Sequence, residues 1–493
     1  MARILDQYGR PFRASEVQSR PRILVRPRGL QGRYDAAQTN DDNSRHWAAA
    51  DALSADEANS YSVRLTLRKR SRYEVWNNSY ARAVVLIFSH DVVGDNGPQL
   101  QMLLDDEGLN EQIEGRWAGW ARRAHLARRL RTMRTARTVD GEGLMLLITN
   151  PALQDEVKLD LRLLECDRLH SPGLLLDDNN VDGVILDDQL NPVRYQILTN
   201  HPGGSAYAPL DTPKEYEARW VIHSFEGIRP EQHRGVPEML SSLGVFGQLR
   251  RFILATLHAA ETAADFSAVL ETNAPPSGEA ADIEAFDAVE IEQNLMVTMP
   301  DGWAMKQFQA QHPNTTFPDF KREELTEAGR ALLMPANLST GDSSRYNFAS
   351  GKLDQEAYWK GIGVVQSELE DEAAEPIFDL WLQEARLAYG LEIPEKPRHE
   401  WLWQKRQSID PREAGAEQTR LSCGALTLPT LYASRGQDWR TELEKGAKSL
   451  GITLPELQAL IRQKLFATAA GPEPARSDGD PEAIEEVIHA LRQ

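Results

Sequence analysis

The sequence is poor in cysteine and contains no long apolar run. Its 493 residues include two cysteines, Cys166 and Cys423, which lie far apart. So few cysteines exclude a disulfide framework and a multi-cysteine zinc site, and they favour a reducing, cytosolic origin. No apolar stretch approaches the roughly 20 residues that span a bilayer, and residues Met1–Gln7 lack the apolar core of a signal peptide. We therefore expect no membrane partner.

The chain also lacks the basic excess that is typical of proteins that grip nucleic acid. Its formal net charge is −19, whereas the neutralisation of phosphates requires a positively charged face. One interpretation is that the acidic surface keeps the protein soluble. The other is that nucleic acid has to slide past an acidic or neutral surface without sticking to it. Composition alone leaves both interpretations open.

The sequence motifs that carry catalytic chemistry are missing. Gly351-Lys352 lacks both the following Ser/Thr and the upstream glycine of a P-loop, and no G-x-G-x-x-G follows a strand. There is no H-E-x-x-H and no G-x-S-x-G. His223, His233 and His312 are isolated from one another, as structural histidines usually are. The sequence thus predicts no catalytic residue, no metal and no cofactor.

Three acidic runs support one enzymatic alternative. They are Asp105–Glu107, Asp177–Asp178 and Glu368–Glu375. Carboxylates can hold the paired metal ions of a nuclease, but nothing in the sequence fixes the spacing of these runs to such a site. Most acidic runs are solvated faces. A metal-dependent DNA-processing enzyme is therefore the alternative to a structural protein.

The first half of the chain mixes helical and strand patterns, which predicts an α+β domain. Residues 1–45 have the polar, arginine-rich composition of an extended arm. A helical pattern covers residues 51–83. The candidate strands are Leu100–Leu104, Leu144–Ile148, Leu159–Cys166, Val184–Leu186, Val193–Leu198 and Trp220–Ser224.

A strongly basic helical pattern, Glu111–Arg137, precedes most of these strands. One interpretation is that this helix contacts DNA. The other, which the surplus of acid in the chain favours, is that its arginines pair with acids of the same or a neighbouring subunit. The arginines are Arg116, Arg122, Arg123, Arg128, Arg129, Arg131, Arg134 and Arg137.

Two long helical patterns dominate the second half of the chain. Apolar residues recur at helical period over 238–270, which predicts a helix roughly 45–50 Å long. An acidic segment with a candidate hairpin of residues 295–299 and 304–309 follows. The second long helix is predicted over 354–389, and Pro376 predicts a kink or break close before it.

Several segments, in order along the chain, resemble motifs of the lambda-type portal proteins of tailed bacteriophages. Leu67–Arg72, followed by Trp76-Asn77-Asn78, is similar to a family signature in which an arginine usually stands at the position of Trp76. A strand, a Gly/Pro turn and a long helix over Val221–Pro276 are also similar to the family. Further similar segments are Arg33–Ala37, Val92–Gly94, Leu163–Leu169, Gly183–Asp187, Asp342–Ser344, Asn347–Lys352 and Trp401–Pro411.

The resemblance implies a helix-rich α+β fold of portal architecture, with an α+β wing, a helical stem, a clip and a helical crown, assembled as a ring. Mapped onto the chain, this layout gives an N-terminal arm (1–45), the wing (46–235), stem helix 1 (236–272), the clip (273–317), stem helix 2 (318–334), the tunnel loop (335–351), the long wing helix (352–392), the crown or C-terminal region (393–470) and a flexible tail (471–493).

The resemblance also implies roles for individual residues, none of them catalytic. We expect the tunnel loop to contact DNA through Asn337, Ser339, Thr340, Asp342, Ser343, Ser344, Arg345 and Asn347. We expect the stem helix to pack through Leu249, Phe252, Ile253 and Leu257. We expect the clip to dock the packaging motor and the neck through Glu279, Asp282, Glu284, Asp301 and Trp303.

The implied partners are further copies of the chain in a dodecameric ring and double-stranded DNA that passes through the channel without sequence-specific contacts. The large subunit of the terminase motor, a head–tail adaptor or neck protein and the major capsid protein complete the set. The implied location is the portal vertex of the virion, after assembly in the host cytoplasm. The resemblance thus predicts a portal through which DNA is packaged and ejected.

Overall fold

The structure is a computed structural model that describes residues 44–45, 47–171, 179–205, 212–265, 269–272, 303–306, 317–406 and 411–467. The chain divides into two units, Met1–Ser54 and Ala55–Gln493. The described part of the first unit consists of turns, in which the carbonyl of Trp47 accepts a hydrogen bond from the N–H of Ala50 at 3.0 Å. All helices and strands given below belong to the second unit.

Helices make up most of the second unit. They are α1 (Ala55–Ala58), α2 (Tyr61–Asn77), α3 (Ser79–Val93), α4 (Glu107–Arg123), α5 (Leu126–Asp140), α6 (Leu240–Asp265), α7 (Phe317–Arg330), α8 (Ala336–Thr340), α9 (Phe348–Leu369), α10 (Glu375–Tyr389), α11 (Pro411–Ser422), α12 (Leu428–Ser434), α13 (Trp439–Leu450) and α14 (Leu454–Ala467).

The strands are short and all their pairings are antiparallel. They are β1 (Gln99–Met102), β2 (Glu142–Thr149), β3 (Leu159–Leu164), β4 (Asn180–Val181), β5 (Val184–Leu186), β6 (Pro192–Ile197), β7 (Lys214–Glu217), β8 (Val221–Phe225), β9 (Val269–Thr272), β10 (Trp303–Lys306) and β11 (His399–Leu402).

The central sheet has the strand order β3-β2-β8 and separates two hydrophobic cores. Because side chains alternate along a strand, Met145 and Leu147 of β2 enter one core, among α3, α4, α5, α9 and α10. Leu144 and Leu146 enter the other core, against the four-stranded sheet β4-β5-β6-β7. The mixed α+β character that the sequence patterns predicted for this part is therefore confirmed.

An aromatic cluster fills the first core and joins the C-terminal region to it. Trp117 of α4 lies 5.3 Å from Trp381 and 5.4 Å from Phe378 of α10, both edge to face. Trp401 of β11 lies 5.6 Å from Trp117. Trp117 and Trp120, which lie three residues apart in the basic segment, are both core residues, since Trp120 is also fully buried.

A four-helix core forms where α2, α3, α6 and α7 meet. Val75 of α2, Val85 of α3, Leu249 of α6 and Leu325 of α7 are all buried in it. The Ser242 hydroxyl of α6 donates to the carbonyl of Ala328 at 2.6 Å, which ties α6 to α7. Helices α6 and α7, which the resemblance assigned to a stem, are therefore anchored on the α+β part. The anchor is the N-terminal half of α6 and the C-terminal half of α7.

Several predicted helix boundaries differ from the structure for local reasons. The pattern over 51–83 is interrupted at Asn78, whose side chain caps α3 by accepting from the N–H of Tyr80 at 3.0 Å. The basic pattern over 111–137 breaks into α4 and α5 at His125, which has a left-handed backbone with φ 52°. The predicted helix over 238–270 ends at Asp265, and Val269–Thr272 form a strand.

The segment over 335–351 is more regular than the predicted loop. Pro335 precedes the short helix α8, and Asn347 caps α9 through a reciprocal capping box with Ser350. The irregular part is therefore confined to residues 341–347. Strand β10 pairs with β9. The hairpin prediction had instead paired this strand with residues 295–299, which lie outside the described residues.

The second long helix contains the irregularity that Pro376 predicted. Residues Glu370–Ala374 form a π-helical turn between α9 and α10. Proline has no N–H to donate and its ring crowds the carbonyl four residues earlier, so a wider turn before it relieves both problems. Among the described residues, no helix is long and apolar enough to cross a membrane.

Candidate functional site

Glu142, the first residue of β2, forms the centre of a buried ionic network. Arg234 donates to its carboxylate from Nε at 2.6 Å and from a terminal nitrogen at 2.9 Å, and Arg68 of α2 donates a further hydrogen bond. The backbone N–H of Gly235 donates at 2.9 Å, and Nε2 of His223 on β8 lies 3.3 Å away. One carboxylate therefore fixes α2, β2, β8 and the loop that leads to α6.

The two guanidinium groups determine the charge state of Glu142. Burial alone would raise the pKa of the carboxyl group, but the charges of Arg234 and Arg68 outweigh burial and hold the pKa of Glu142 well below its usual value. Burial lowers the pKa of His223, so this imidazole is neutral at neutral pH. The network thus holds a permanent buried negative charge, paired on both sides.

A second carboxylate, Asp182, extends this network. It accepts a hydrogen bond from Arg64 of α2 and one from Arg234 at 3.2 Å, and Nδ1 of His170 lies 3.3 Å away. Burial opposes the ionisation of Asp182, but the interaction with His170 and the charges of Arg234 and Arg64 outweigh it and lower the pKa of Asp182 to about 2. Ionised Asp182 therefore stabilises the fold at neutral pH.

Three side chains near Arg72 have the residue types of a metal site. The ligand atoms of Glu165, Asp167 and His201 all lie within 4.8 Å of one another. The guanidinium of Arg72 already lies among them, 2.5 Å from Asp167 and 3.6 Å from Glu165, and it also binds Asp140 at 2.6 Å. Because Arg72 already neutralises these carboxylates, the cluster fits an ion-pair network better than a metal centre.

A separate network around Arg137 joins three helices. Arg137 of α5 donates to Glu238 at 2.9 Å and to Glu368 at 2.8 Å, and it lies 3.2 Å from Glu372. Arg134 binds Glu238 with two parallel hydrogen bonds of 2.9 and 2.7 Å. Glu238 precedes α6, whereas Glu372 lies in the π-helical turn. The start of α6 is thereby tied to α9 and to the π-helical turn through α5.

The arginines of the basic pattern mostly serve such contacts within the subunit. Arg123 pairs with Asp155 and Arg129 pairs with Asp160. Arg131 donates to the carbonyl of Gly94 at 2.6 Å. These pairs agree with the interpretation that the surplus acid of the chain partners its arginines.

The predicted stem residues differ in how far a single subunit covers them. Leu249 is 2 % exposed and Ile253 is half-buried in the four-helix core. Phe252 is 39 % exposed and stacks at 5.9 Å on Phe317 of α7. Leu257 is 54 % exposed. That these residues pack in a stem stays a prediction, and Leu257 is the one of the four that would need a second subunit to cover it.

The predicted tunnel-loop residues do not all lie on the surface. Ser339 is 2 % exposed and its hydroxyl donates to the carbonyl of Ala336 within α8, so it is unable to touch DNA. Asn337 and Thr340 are half-buried in the same helix.

The remaining residues of this set lie in the irregular part or at the start of α9. Ser343 and Ser344 are exposed. Arg345 pairs with Asp319 of α7 at 2.6 Å, and Asp342 accepts from the N–H of Ser344 at 2.9 Å. Asn347, the cap of α9, is exposed. The two serines and Asn347 are therefore the exposed uncharged side chains of this set.

The clip residues fall largely outside the described part of the chain. Glu279, Asp282, Glu284 and Asp301 lie outside the described residues, so their predicted docking role stays a prediction. Trp303 begins β10, where its backbone pairs with Thr272 of β9. This pairing brings the two ends of the predicted clip segment together at the end of α6.

Sequence reasoning did not single out the acids at the centres of these networks, Glu142 and Asp182. A usable signal was present in α2. Arg64, Arg68 and Arg72 recur at i, i+4 and i+8, which places all three on one side of the helix. Three arginines facing a folded core require buried acids to compensate them, although the pattern does not say which acids.

Comparisons with known proteins agree with these features. The family model described as "Phage portal protein, lambda family" matches residues 41–366. A relative described as "Probable portal protein", from Halomonas phage phiHAP-1, is 24 % identical over 409 residues, which cover 76 % of this chain and 77 % of the relative.

Similar chains also occur in solved structures of gene transfer agent particles. One from the virion of the native particle has a TM-score of 0.43 at 13 % identity and covers 73 % of this chain and 89 % of that chain. One from the neck of the empty particle has a TM-score of 0.46 at 14 % identity and covers 73 % and 88 %.

The family model spans more than half of the chain, and it includes the arginine helix α2, the network around Glu142, and helices α6 and α7. Most of the motifs that suggested the resemblance lie within the same span, whereas Arg33–Ala37 and Trp401–Pro411 lie outside it. The chain therefore belongs to the lambda family of phage portal proteins.

Proposed function

We propose that this portal protein forms a closed ring of twelve identical subunits at one vertex of a phage capsid, and that double-stranded DNA enters and leaves through its axial channel. A ring of identical subunits needs two unlike surfaces on each subunit that meet head to tail. Family membership gives a structural role in the virion. The role as a conduit, rather than as an enzyme, rests on the following features of the chain.

The observation that carries the proposal is the uncovered distal half of α6. This helix has 26 residues, which corresponds to roughly 39 Å. Its proximal residues are buried in the four-helix core, but Leu254 and Leu257 are 51 % and 54 % exposed. A helix that leaves several large apolar side chains in water is typical of a subunit that buries them against another chain. Neighbouring copies in a ring would cover this half of the helix.

The irregular segment 341–347 supports a role as a channel-facing contact. Its exposed residues Ser343 and Ser344 carry hydroxyl groups, while its charged residues Asp342 and Arg345 engage α7 or the loop itself. Hydroxyl groups can contact phosphates by weak hydrogen bonds, whereas a row of lysines would bind them strongly. Such a surface lets DNA move past without trapping it.

The remaining partners follow from the family and from the layout of the chain. We propose that the segment between β9 and β10 docks the large terminase subunit during packaging and the head–tail adaptor or neck protein afterwards. The outer α+β part would contact the major capsid protein, and assembly would take place in the host cytoplasm. The metal-dependent enzyme hypothesis gains no support from Glu165, Asp167 and His201, because Arg72 already occupies that cluster.

The channel role is tested by adding positive charge to the exposed serines. Replacing both Ser343→Lys and Ser344→Lys should slow or stall packaging, because two lysines per subunit place a ring of cations against the phosphates. The measurement is the yield of DNA-filled heads in a packaging assay. The matched control is Ser343→Asn with Ser344→Asn, which keeps the segment uncharged and should package normally. Equal yields from the lysine and asparagine variants would contradict the channel role.

A further inference from the structure

An exposed basic and aromatic surface lies on the outer side of α2. Tyr73 and Trp76 are 56 % and 74 % exposed. Lys69 and Arg70 are exposed beside them, and neither pairs with an acid among the residues that the structure describes. The guanidinium of Arg82 lies 5.2 Å from the ring of Trp76 and holds it in place. Lys69, Arg70, Tyr73 and Trp76 are termed the basic surface.

An exposed acidic surface lies on the outer side of α7. Phe320 is 43 % exposed, and Glu323 and Glu327 follow it at helical spacing on the same side. Neither glutamate pairs with a cation within the described part of the chain, although Arg330 is exposed one turn further on. Phe320, Glu323 and Glu327 are termed the acidic surface.

The two surfaces lie on two different helices of the four-helix core. Helix α2 packs on both α3 and α6. Helix α7 packs on α6 as well, and its Lys321 lies 4.9 Å from the ring of Tyr80 on α3. Val75 of α2 and Leu325 of α7 both point into the core between these helices. Because α2 and α7 share the same two neighbours, they occupy opposite corners of the core.

We propose that the basic surface of one subunit docks on the acidic surface of the next subunit, so that α2 and α7 form a head-to-tail contact around the ring. This inference rests on the proposed ring and adds the residues that build it. Its occupant is a second copy of this chain. Each subunit then contributes one surface of each kind, and the contact repeats until the ring closes.

Charge and residue type both favour a second copy over DNA. Tryptophan, tyrosine and arginine are the residues that most often dominate binding at protein interfaces. Double-stranded DNA offers no exposed base face on which Trp76 could stack, because its bases already stack on one another. The unpaired acids Glu323 and Glu327 complement Lys69 and Arg70 in charge and number. Docking would pair all four and cover the two aromatic rings.

Two charge-reversed variants test this pairing when they are studied apart and together. One carries Lys69→Glu and Arg70→Glu, and the other carries Glu323→Lys and Glu327→Lys. Each variant alone places like charges at every contact, so the concentration needed for half-assembly should rise at least tenfold. An equimolar mixture should assemble again, because each contact then joins opposite charges. The restored rings would alternate the two variants and would contain an even number of subunits.

The measurement is the mass distribution of the full-length chain by native mass spectrometry, with thermal unfolding as a check that each variant folds. Arg122→Glu with Arg128→Glu changes the net charge as Lys69→Glu with Arg70→Glu does, but at two other exposed positions, and it should leave assembly unchanged. Trp76→Ala should weaken assembly about tenfold without changing the charge.

The possible results separate this inference from the function on which it rests. If the unmodified chain forms rings and both reversed variants form them equally well, the α2–α7 contact is wrong while the ring stands. If the reversed variants fail alone and the mixture also fails, the pairing of these two surfaces is wrong. If the unmodified chain forms no ring under any condition, the proposed function itself fails.

Discussion

At the scale of single residues, Glu142 joins several elements of the fold through one carboxylate. Its carboxylate is in contact with two guanidinium groups, a backbone N–H and an imidazole. Removing one partner of a buried ion pair lowers the free energy of unfolding strongly, because the remaining charge is then buried away from water and without an opposite charge beside it. The stability of the junction of α2, β2 and the loop before α6 therefore depends on both oxygen atoms of this one carboxylate.

The first prediction concerns Glu142→Gln. This change removes the negative charge but keeps the shape of the side chain, and it leaves Arg68 and Arg234 buried without their main partner. We expect the free energy of unfolding to fall by about 3–5 kcal/mol. Urea titration at neutral pH measures this loss.

An exposed ion pair provides the matched control. Arg194 and Glu215 lie 2.6 Å apart, but their side chains are 52 % and 43 % exposed. Glu215→Gln should therefore change the free energy of unfolding by less than about 1 kcal/mol. If Glu142→Gln lowers the free energy of unfolding no more than Glu215→Gln does, the buried network stabilises the fold no more than an exposed ion pair.

The second prediction concerns the pH dependence contributed by Asp182. Its pKa of about 2 in the folded chain lies below the value of 3.8 expected for an unperturbed aspartate. The ionised group therefore stabilises the fold above about pH 4, and this stabilisation is lost as the pH falls towards 2. The loss amounts to about 2 kcal/mol.

Asp182→Asn should flatten the fall in unfolding free energy between about pH 5 and pH 2. Asp188→Asn, at an exposed position, is the control and should leave the slope unchanged. Urea titrations across this pH range measure both slopes. An identical slope in Asp182→Asn and the unmodified chain would contradict the assignment.

The amino-acid sequence predicted some of these ion pairs but not others. The surplus of acid over base was enough to expect that the arginines of α4 and α5 pair within the protein, and Arg123 and Arg129 do so. The sequence did not point to Glu142 as a partner of Arg68, because that pair is separated by 74 positions. Pairing over such separations depends on the sheet register, which local patterns do not encode.

At the scale of secondary-structure elements, helix α6 combines an anchored end with an uncovered one. Two glycines, Gly244 and Gly247, lie in its proximal third with open space around them, since a Cβ built on either would meet nothing within 4 Å. Gly329 of α7 differs, because a Cβ there would lie 2.5 Å from Cβ of Ser339 in α8.

The third prediction contrasts these glycines. Gly247→Ala should raise the free energy of unfolding of the subunit by about 0.5–1 kcal/mol, because alanine restricts the unfolded chain and favours the helix. Gly329→Ala should lower it, because α8 has to move away from α7. Thermal unfolding measures both shifts, and the prediction fails if they have the same sign.

Elements with strong local signals were predictable from the sequence, and elements defined by distant partners were not. Pro376 predicted the irregularity at Glu370–Ala374 through the chemistry of one residue. The break between α4 and α5 has no proline or glycine at His125 and was missed. Strand β11 pairs with β1 across some three hundred residues, so its partner was beyond any local pattern.

At the scale of the whole molecule, this portal chain leaves exposed several surfaces that the proposed ring would cover. The exposed apolar residues of α6, the basic surface of α2 and the acidic surface of α7 all lie on helices of one four-helix core. The order of motifs predicted the family and the α+β and helical parts. It did not predict which surfaces meet, because interfaces between subunits leave no periodic signal in a single sequence.

The central claim is that identical copies of this chain close into a ring around a channel. Electron microscopy of the purified full-length chain tests it most directly. We expect rings with a central channel and twelvefold rotational symmetry, built from subunits of 55.4 kDa. Monomers and dimers alone, at every protein and salt concentration tried, or open filaments without closure, would contradict the account.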